Sequence, residues 1–257
     1  MILFTIKKTF FDMWDNLFSI IFLNIGFSLI TAVGIYILQL FTKLDLAFLF
    51  LGILVVAGIF LVYIGAASML ARDIADYKAP TFKTFFQYIK EVWKASLAFT
   101  LTIVIQLFII LGVYLYSRIG NILSFLAISI LFWTSVVWWL SSQYYFPVRS
   151  RLDTKVKKIF FKSFALFFDN TLFTIALAIG TLILLILSSF TAFLIPGIGT
   201  ILLWHQVGTK LRCYKYDYLE QHPDAGKKNI PWTQLLDEER ERVGKRTLRG
   251  LIFPWKE

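Results

Sequence analysis

Charge is what this 257-residue sequence has least of: Asp, Glu, Lys and Arg make up 16% of it, against about 25% in an ordinary soluble domain. With 58% hydrophobic residues and a mean hydropathy of +0.71, that scarcity excludes a soluble enzyme. The single cysteine, Cys213, cannot form an internal disulfide, so nothing here is built for an oxidising compartment. Two histidines, His205 and His222, with Cys213 between them are too few ligands for a metal centre, and no cofactor is expected. No nucleophile stands beside a base with an orienting partner, and no basic residue closely follows Gly197-Ile198-Gly199 to make it a phosphate loop, so enzymatic activity is not expected. Met1 to Asn16 lacks the basic region, short apolar core and small-residue cleavage site of a signal peptide, and none is expected.

What is present is long apolar sequence. Charge-free stretches run from Leu17 to Thr42, Leu46 to Ala71, Ala95 to Ser117, Gly120 to Val148 and Thr171 to Thr209, each at least the length a helix needs to cross roughly 30 Å of hydrocarbon. The last is long enough for two helices. Pro196-Gly197-Ile198-Gly199 is the natural turn between them, because proline cannot continue the preceding hydrogen-bond ladder; the sixth helix is then short. A turn at Ser188-Ser189, with Pro196 inside the sixth helix, is the alternative. The expected fold is an all-α integral membrane protein of six transmembrane helices, residues 1–213, followed by a cytoplasmic tail, residues 214–257.

Orientation follows from the basic residues. Of 26 Lys and Arg, only Lys43 and Arg118 fall in the loops of one face, which places both termini on the cytoplasmic side. The net charge of +10 is thus a topology signal and an attraction to anionic lipid headgroups, and no nucleic acid partner is expected.

The sequence also repeats. Lys8-Thr9-Phe10-Phe11 recurs as Lys83-Thr84-Phe85-Phe86 and as Lys158-Ile159-Phe160-Phe161, offset by 75 residues each time. A second register, offset by 154, joins Trp14-Asp15-Asn16 to Phe168-Asp169-Asn170 and Ile25-Gly26 to Ile179-Gly180. Three hairpin units are expected, about 1–75, 76–150 and 151–213, each opened by an amphipathic cytoplasmic helix that lies in the interface or, alternatively, extends its span into water. Asp15-Asn16 and Asp169-Asn170 are read as caps for the spans that follow. Ala176 and Gly180, four apart, suit close approach of a neighbouring backbone.

Three places resemble the YesL-like family of bacterial multi-pass membrane proteins of unknown function: Ile64-Gly65-Ala66-Ala67-Ser68; Phe82-Lys83-Thr84-Phe85-Phe86 with Trp93; and Tyr144-Tyr145-Phe146-Pro147 leading through Arg149 into the fifth span. The resemblance covers about 150 residues and departs from the family's usual proline in the small-residue stretch. It implies a bacterial cytoplasmic membrane and the company of a carbohydrate uptake system, with no site residue to carry over.

No Asp, Glu, Lys or Arg falls inside the six proposed spans, which counts against a proton-coupled carrier. The polar intramembrane candidates are Asn24, Gln39, Gln106, Gln143, His205 and Gln206, read first as hydrogen-bonding glue between helices. In the tail, Thr233 to Val243 reads as a helix stopped by Gly244. Beyond it Leu248, Leu251, Ile252, Phe253 and Trp255 alternate with basic residues, as a docking element for lipid, the bundle or a protein partner would. The expected function is that of an accessory or scaffold protein; the rival is a transporter or channel for uncharged solutes along a pseudo-threefold axis.

Overall fold

The computed structural model describes residues 1–43, 46–79, 81–223, 230–244 and 246, and among these there is no strand. The chain opens with α1 (Ile2–Asp15), passes at Asn16 into α2 (Leu17–Phe41), returns through α3 (Leu46–Ala75), and leaves again along α4 (Phe82–Ser117). The helices α5 (Ile122–Ser142), α6 (Tyr145–Arg151) and α7 (Val156–Asp169) follow, then α8 (Thr171–Phe190) and α9 (Gly197–Gln221). The tail contributes α10 (Trp232–Leu235) and α11 (Asp237–Val243), stopped by Gly244 at φ +69. Five stretches are long and apolar enough to cross a membrane: Leu17–Phe41, Phe48–Ala75, Phe82–Ser117, Ile122–Arg151 and Thr171–Phe190. The protein is therefore all-helical and of the membrane class.

Two junctions share one device. Asn16 (φ −118, ψ 31) and Asn170 (φ −134, ψ 39) both leave helical geometry. Each side-chain amide donates back to the carbonyl four residues earlier, Asp12 at 3.0 Å and Leu166 at 3.1 Å. Neither caps the helix that follows, contrary to the sequence reading. The amide is already committed to the preceding helix end, and the Asp carboxylates take distant cations: Asp169 receives Lys215 (2.6 Å) and Asp15 receives Arg246 (2.9 Å).

The second Phe-Phe segment has no such break. Thr81 caps the N-terminus in a box with Thr84, and α4 then runs unbroken from Phe82 to Ser117. The amphipathic helix expected before the second hairpin is thus the first turns of the span itself. Between α8 and α9 the break falls between the two alternatives: α8 ends at Phe190, just past Ser188-Ser189, and α9 opens directly after Pro196. Ala192 (φ 50) and Phe193 (φ 62) take left-handed conformations in this turn, which Asn24 of α2 holds from below. Its amide nitrogen donates to Leu194 O (2.7 Å) and Pro196 O (2.9 Å), and its oxygen accepts the Gly199 N–H (2.7 Å). No side chain fits at Gly197, which lies against Asn24 at φ +64.

The middle of the bundle is filled by α9, which touches α1, α2, α3, α6 and α8. It continues through residue 213, where the sequence reading ends the membrane domain, to Gln221. Each hairpin carries an aromatic latch from its second arm to a main-chain carbonyl of its first: Tyr63 to Leu23 (2.6 Å), Tyr145 to Ala95 (2.8 Å) and Trp204 to Leu177 (2.9 Å). Gly26 lies under Tyr63 and Gly180 under the Trp204 ring, so a side chain rather than a backbone fills the space at Gly180. The first and third stretches carrying the YesL-like resemblance meet, since Gly65 packs on Phe146 of α6, with Val92 and Ser96 of α4 alongside. Large apolar side chains such as Leu29, Phe108, Phe125, Trp133 and Leu172 face outward, the polarity a lipid solvent selects.

Candidate functional site

The charges missing from the spans are gathered at one end of the bundle. On α1, Thr5, Lys8, Thr9 and Asp12 occur at i, i+3, i+4 and i+7, so they share one helix face. That polar face is buried, while Leu3 and Ile6 are exposed. Lys8, with no exposure at all, pairs with Asp12 at 2.9 Å, one turn away. At the end of α3 the chain turns at Tyr77, whose φ of 58 is the left-handed conformation usually given to glycine. Lys8 donates to the Tyr77 hydroxyl at 2.6 Å.

These groups converge on Glu239 of α11. One carboxylate oxygen accepts the Tyr77 hydroxyl (2.7 Å) and lies 3.0 Å from the Lys8 ammonium. The other accepts Tyr214 (2.7 Å) and Lys210 (2.6 Å), both from α9. From Lys210 the network goes on to Ala75 O (2.8 Å) and Asp76 (3.4 Å), and Asp76 takes Arg151 at 3.0 Å. Arg151 donates to the Gln206 oxygen (3.0 Å), and the Gln206 amide donates to Ser68 O, Ser68 Oγ and Ser150 Oγ. Alongside, Arg72 pairs with Asp73 (2.8 Å), which also accepts Tyr88.

Burial sets the electrostatics. It pushes the Asp12 carboxyl up from 3.8 to about 6, in spite of the attraction of Lys8. Burial pushes Glu239 up too, but Lys8, Lys210 and the Tyr214 hydroxyl outweigh it and hold that carboxyl at about 2. Tyr77 is raised by burial and by the facing Glu239 carboxylate. Glu239 is thus the firm anion of the cluster and Asp12 the group nearest to taking a proton. The ensemble can bind and orient a carboxylate. Among the described residues, no three His, Cys, Asp or Glu side chains come together as metal ligands would.

Of the polar intramembrane candidates, only Gln206 belongs to this cluster. Asn24 holds the α8–α9 turn, Gln106 joins Ser135 between α4 and α5 (3.0 Å), and His205 shares a 2.9 Å hydrogen bond with Thr181 between α8 and α9. Gln143 turns back on Leu140 O (3.2 Å), and Gln39 is exposed on α2. The tail residues Leu248, Leu251, Ile252, Phe253 and Trp255 lie outside the described residues. Sequence reasoning missed Lys8, Asp12, Tyr77, Lys210, Tyr214 and Glu239 as a group. The available signal was the polar stripe on α1, a core spacing occupied by Thr, Lys and Asp. No family model matches the chain, and neither does any curated protein or solved structure.

Proposed function

We propose that this protein is a non-enzymatic accessory or scaffold protein of a bacterial cytoplasmic membrane, with both termini in the cytoplasm. One observation carries the reading: three of the buried polar groups within the helices hold helices to one another. Asn24, Gln206 and the Thr181–His205 pair each tie two or more segments together. The amides that would line a solute path do not share a space. Gln106 opens toward Thr102, Thr134 and Trp138 on the outside of α4 and α5, Gln143 is buried beside Leu140, and Gln206 sits among the charges. The three aromatic latches, with the matched Asn16 and Asn170 junctions, support three hairpins of six membrane helices as an internal repeat. The YesL-like resemblance supplies the context of an uptake system, and the basic face the attraction to anionic headgroups.

The test is twofold. Purification at native expression level after mild cross-linking is expected to retrieve a stoichiometric partner. Vesicles reconstituted with the protein alone are expected to exchange labelled sugars no faster than protein-free vesicles. Rapid exchange without a partner would replace this reading with the uncharged-solute path.

A further inference from the structure

The tail docks through one helix face. Leu236, Glu239 and Val243, spaced i, i+3 and i+7, are all buried, so a carboxylate is presented between two apolar side chains. Its seat comes from elsewhere in the chain: Lys8 of α1, Tyr77 beyond α3, and Lys210 and Tyr214 of α9, four donors for two oxygens. The charges are matched only while Glu239 is present. Lys8, Lys210 and Arg151 face Asp12, Asp76 and Glu239, so withdrawing the tail leaves a surplus cation. The seat also carries strain of its own, since Tyr77 holds a left-handed backbone where its hydroxyl meets both Lys8 and Glu239.

Besides Trp232, which packs on the core beneath Arg212, the remaining polar ties of the tail are weaker. Arg246 and Asp15 are both well exposed, Lys7 reaches only the Gly244 carbonyl, and a cleft lined by Phe4, Lys7, Asp237, Arg240 and Glu241 separates α1 from α11. A helix as short as α11 does not hold together alone in water, so it forms at the expense of docking energy. A longer helix with the same face, already formed, loses less on binding.

We infer that this seat is a receptor for an amphipathic helix that presents one carboxylate between apolar residues three positions before and four after it. The tail helix α11 is its resident ligand, and an acidic helix of a partner protein takes its place when the tail lifts. This deepens the scaffold reading and rests on it only for the partner.

A fluorescent, end-capped peptide of residues 230–244 tests the inference against the full-length protein in nanodiscs. Leu236→Ser with Val243→Ser lifts the tail without touching the seat, and peptide binding to that variant is expected to be at least tenfold tighter than to wild type. Glu239→Gln in the full chain should give a gain of the same sign. On the lifted variant, the peptide carrying Glu239→Gln should bind at least tenfold more weakly, and adding Lys210→Met to the receptor should erase that preference. No gain on lifting the tail by either route, or equal binding of Glu and Gln peptides to the lifted variant, would overturn the receptor. Either result would leave the scaffold reading to the co-purification and vesicle experiments.

Discussion

Asp12 is the carboxyl of the cluster that burial, on balance, pushes up rather than down. Its carboxyl is raised from 3.8 to about 6, so the folded protein holds the proton more tightly than the unfolded chain does. The stability this contributes is fully present below pH 3.8 and is lost as pH rises through 6, a change on the order of 3 kcal/mol. Glu239 runs the other way, its contribution being lost as pH falls from 4.5 toward 2, mostly below that window. Asp12→Asn should therefore remove a pH dependence without removing the side chain's shape. Thermal unfolding in detergent from pH 4 to 8 is expected to show wild type losing ground to Asp12→Asn as pH rises through 6; parallel curves would refute the shift. At this scale the sequence was partly legible. Asn24, Gln206 and His205 were recognisable as polar residues in apolar surroundings, and each does join helices. Lys8 and Glu239 were not, because each looks local: a basic residue beside a span, and one acid among Asp237, Glu238 and Glu241. Their pairing crosses most of the chain, where periodicity carries no information.

Helices were legible wherever one solvent decides the pattern. The apolar stretches gave α2, α3, α5 and α8, and Gly244 ends the tail helix as expected, with a kink at Leu236 that no residue type announces. Helix breaks were harder to read. Lys8-Thr9-Phe10-Phe11 and Lys83-Thr84-Phe85-Phe86 are nearly identical, yet only the first is followed by an Asn that folds back on its own helix. The latches were hidden too, because a Tyr or Trp in an apolar stretch reads as packing until its donor is placed. They give a test specific to these elements. Gly26→Ala and Gly180→Ala put a methyl group into Tyr63 and Trp204 respectively. Each should destabilise by roughly 1–3 kcal/mol through overpacking, whereas Tyr63→Phe, which loses only the bond to Leu23 O, should cost about 1 kcal/mol. Unfolding in detergent measures all three. Equal losses for Gly26→Ala and Tyr63→Phe would mean that the ring moves aside.

For the molecule as a whole, the hairpins differ in reach. Lys210 of α9 sits on the Ala75 carbonyl at the end of α3, so the two helices share a level there. From that level α9 extends back about 20 Å to Gly197 and α3 about 43 Å to Leu46, at 1.5 Å per residue. The Asn24 contact agrees, since α2 continues well past the α8–α9 turn before it ends at Phe41. Although α8 alone is long enough to cross a bilayer whose hydrocarbon is roughly 30 Å thick, the third hairpin is expected to stop short of the far face. In a Cys213→Ser background, Thr42→Cys and Ile119→Cys should react with an impermeant thiol reagent added outside intact cells. Lys83→Cys and Lys158→Cys should react only after permeabilisation, and Ala192→Cys should resist in both cases. Reversed labelling would invert the orientation, and external labelling at position 192 would make the third hairpin a full span.

The inverted face of α1 also imposes an order in time. Thr5, Lys8, Thr9 and Asp12 are made before α9 and α11, and Lys8, paired with Asp12 on its own helix, meets Glu239 only once α11 exists. Until then α1 has apolar residues suited to lipid and a polar stripe that lacks the Glu239 carboxylate. A chain stopped after the second hairpin would leave Lys8 with Asp12 and the Tyr77 hydroxyl alone. The contact that seats the tail is thus the last to close the charge balance of α1.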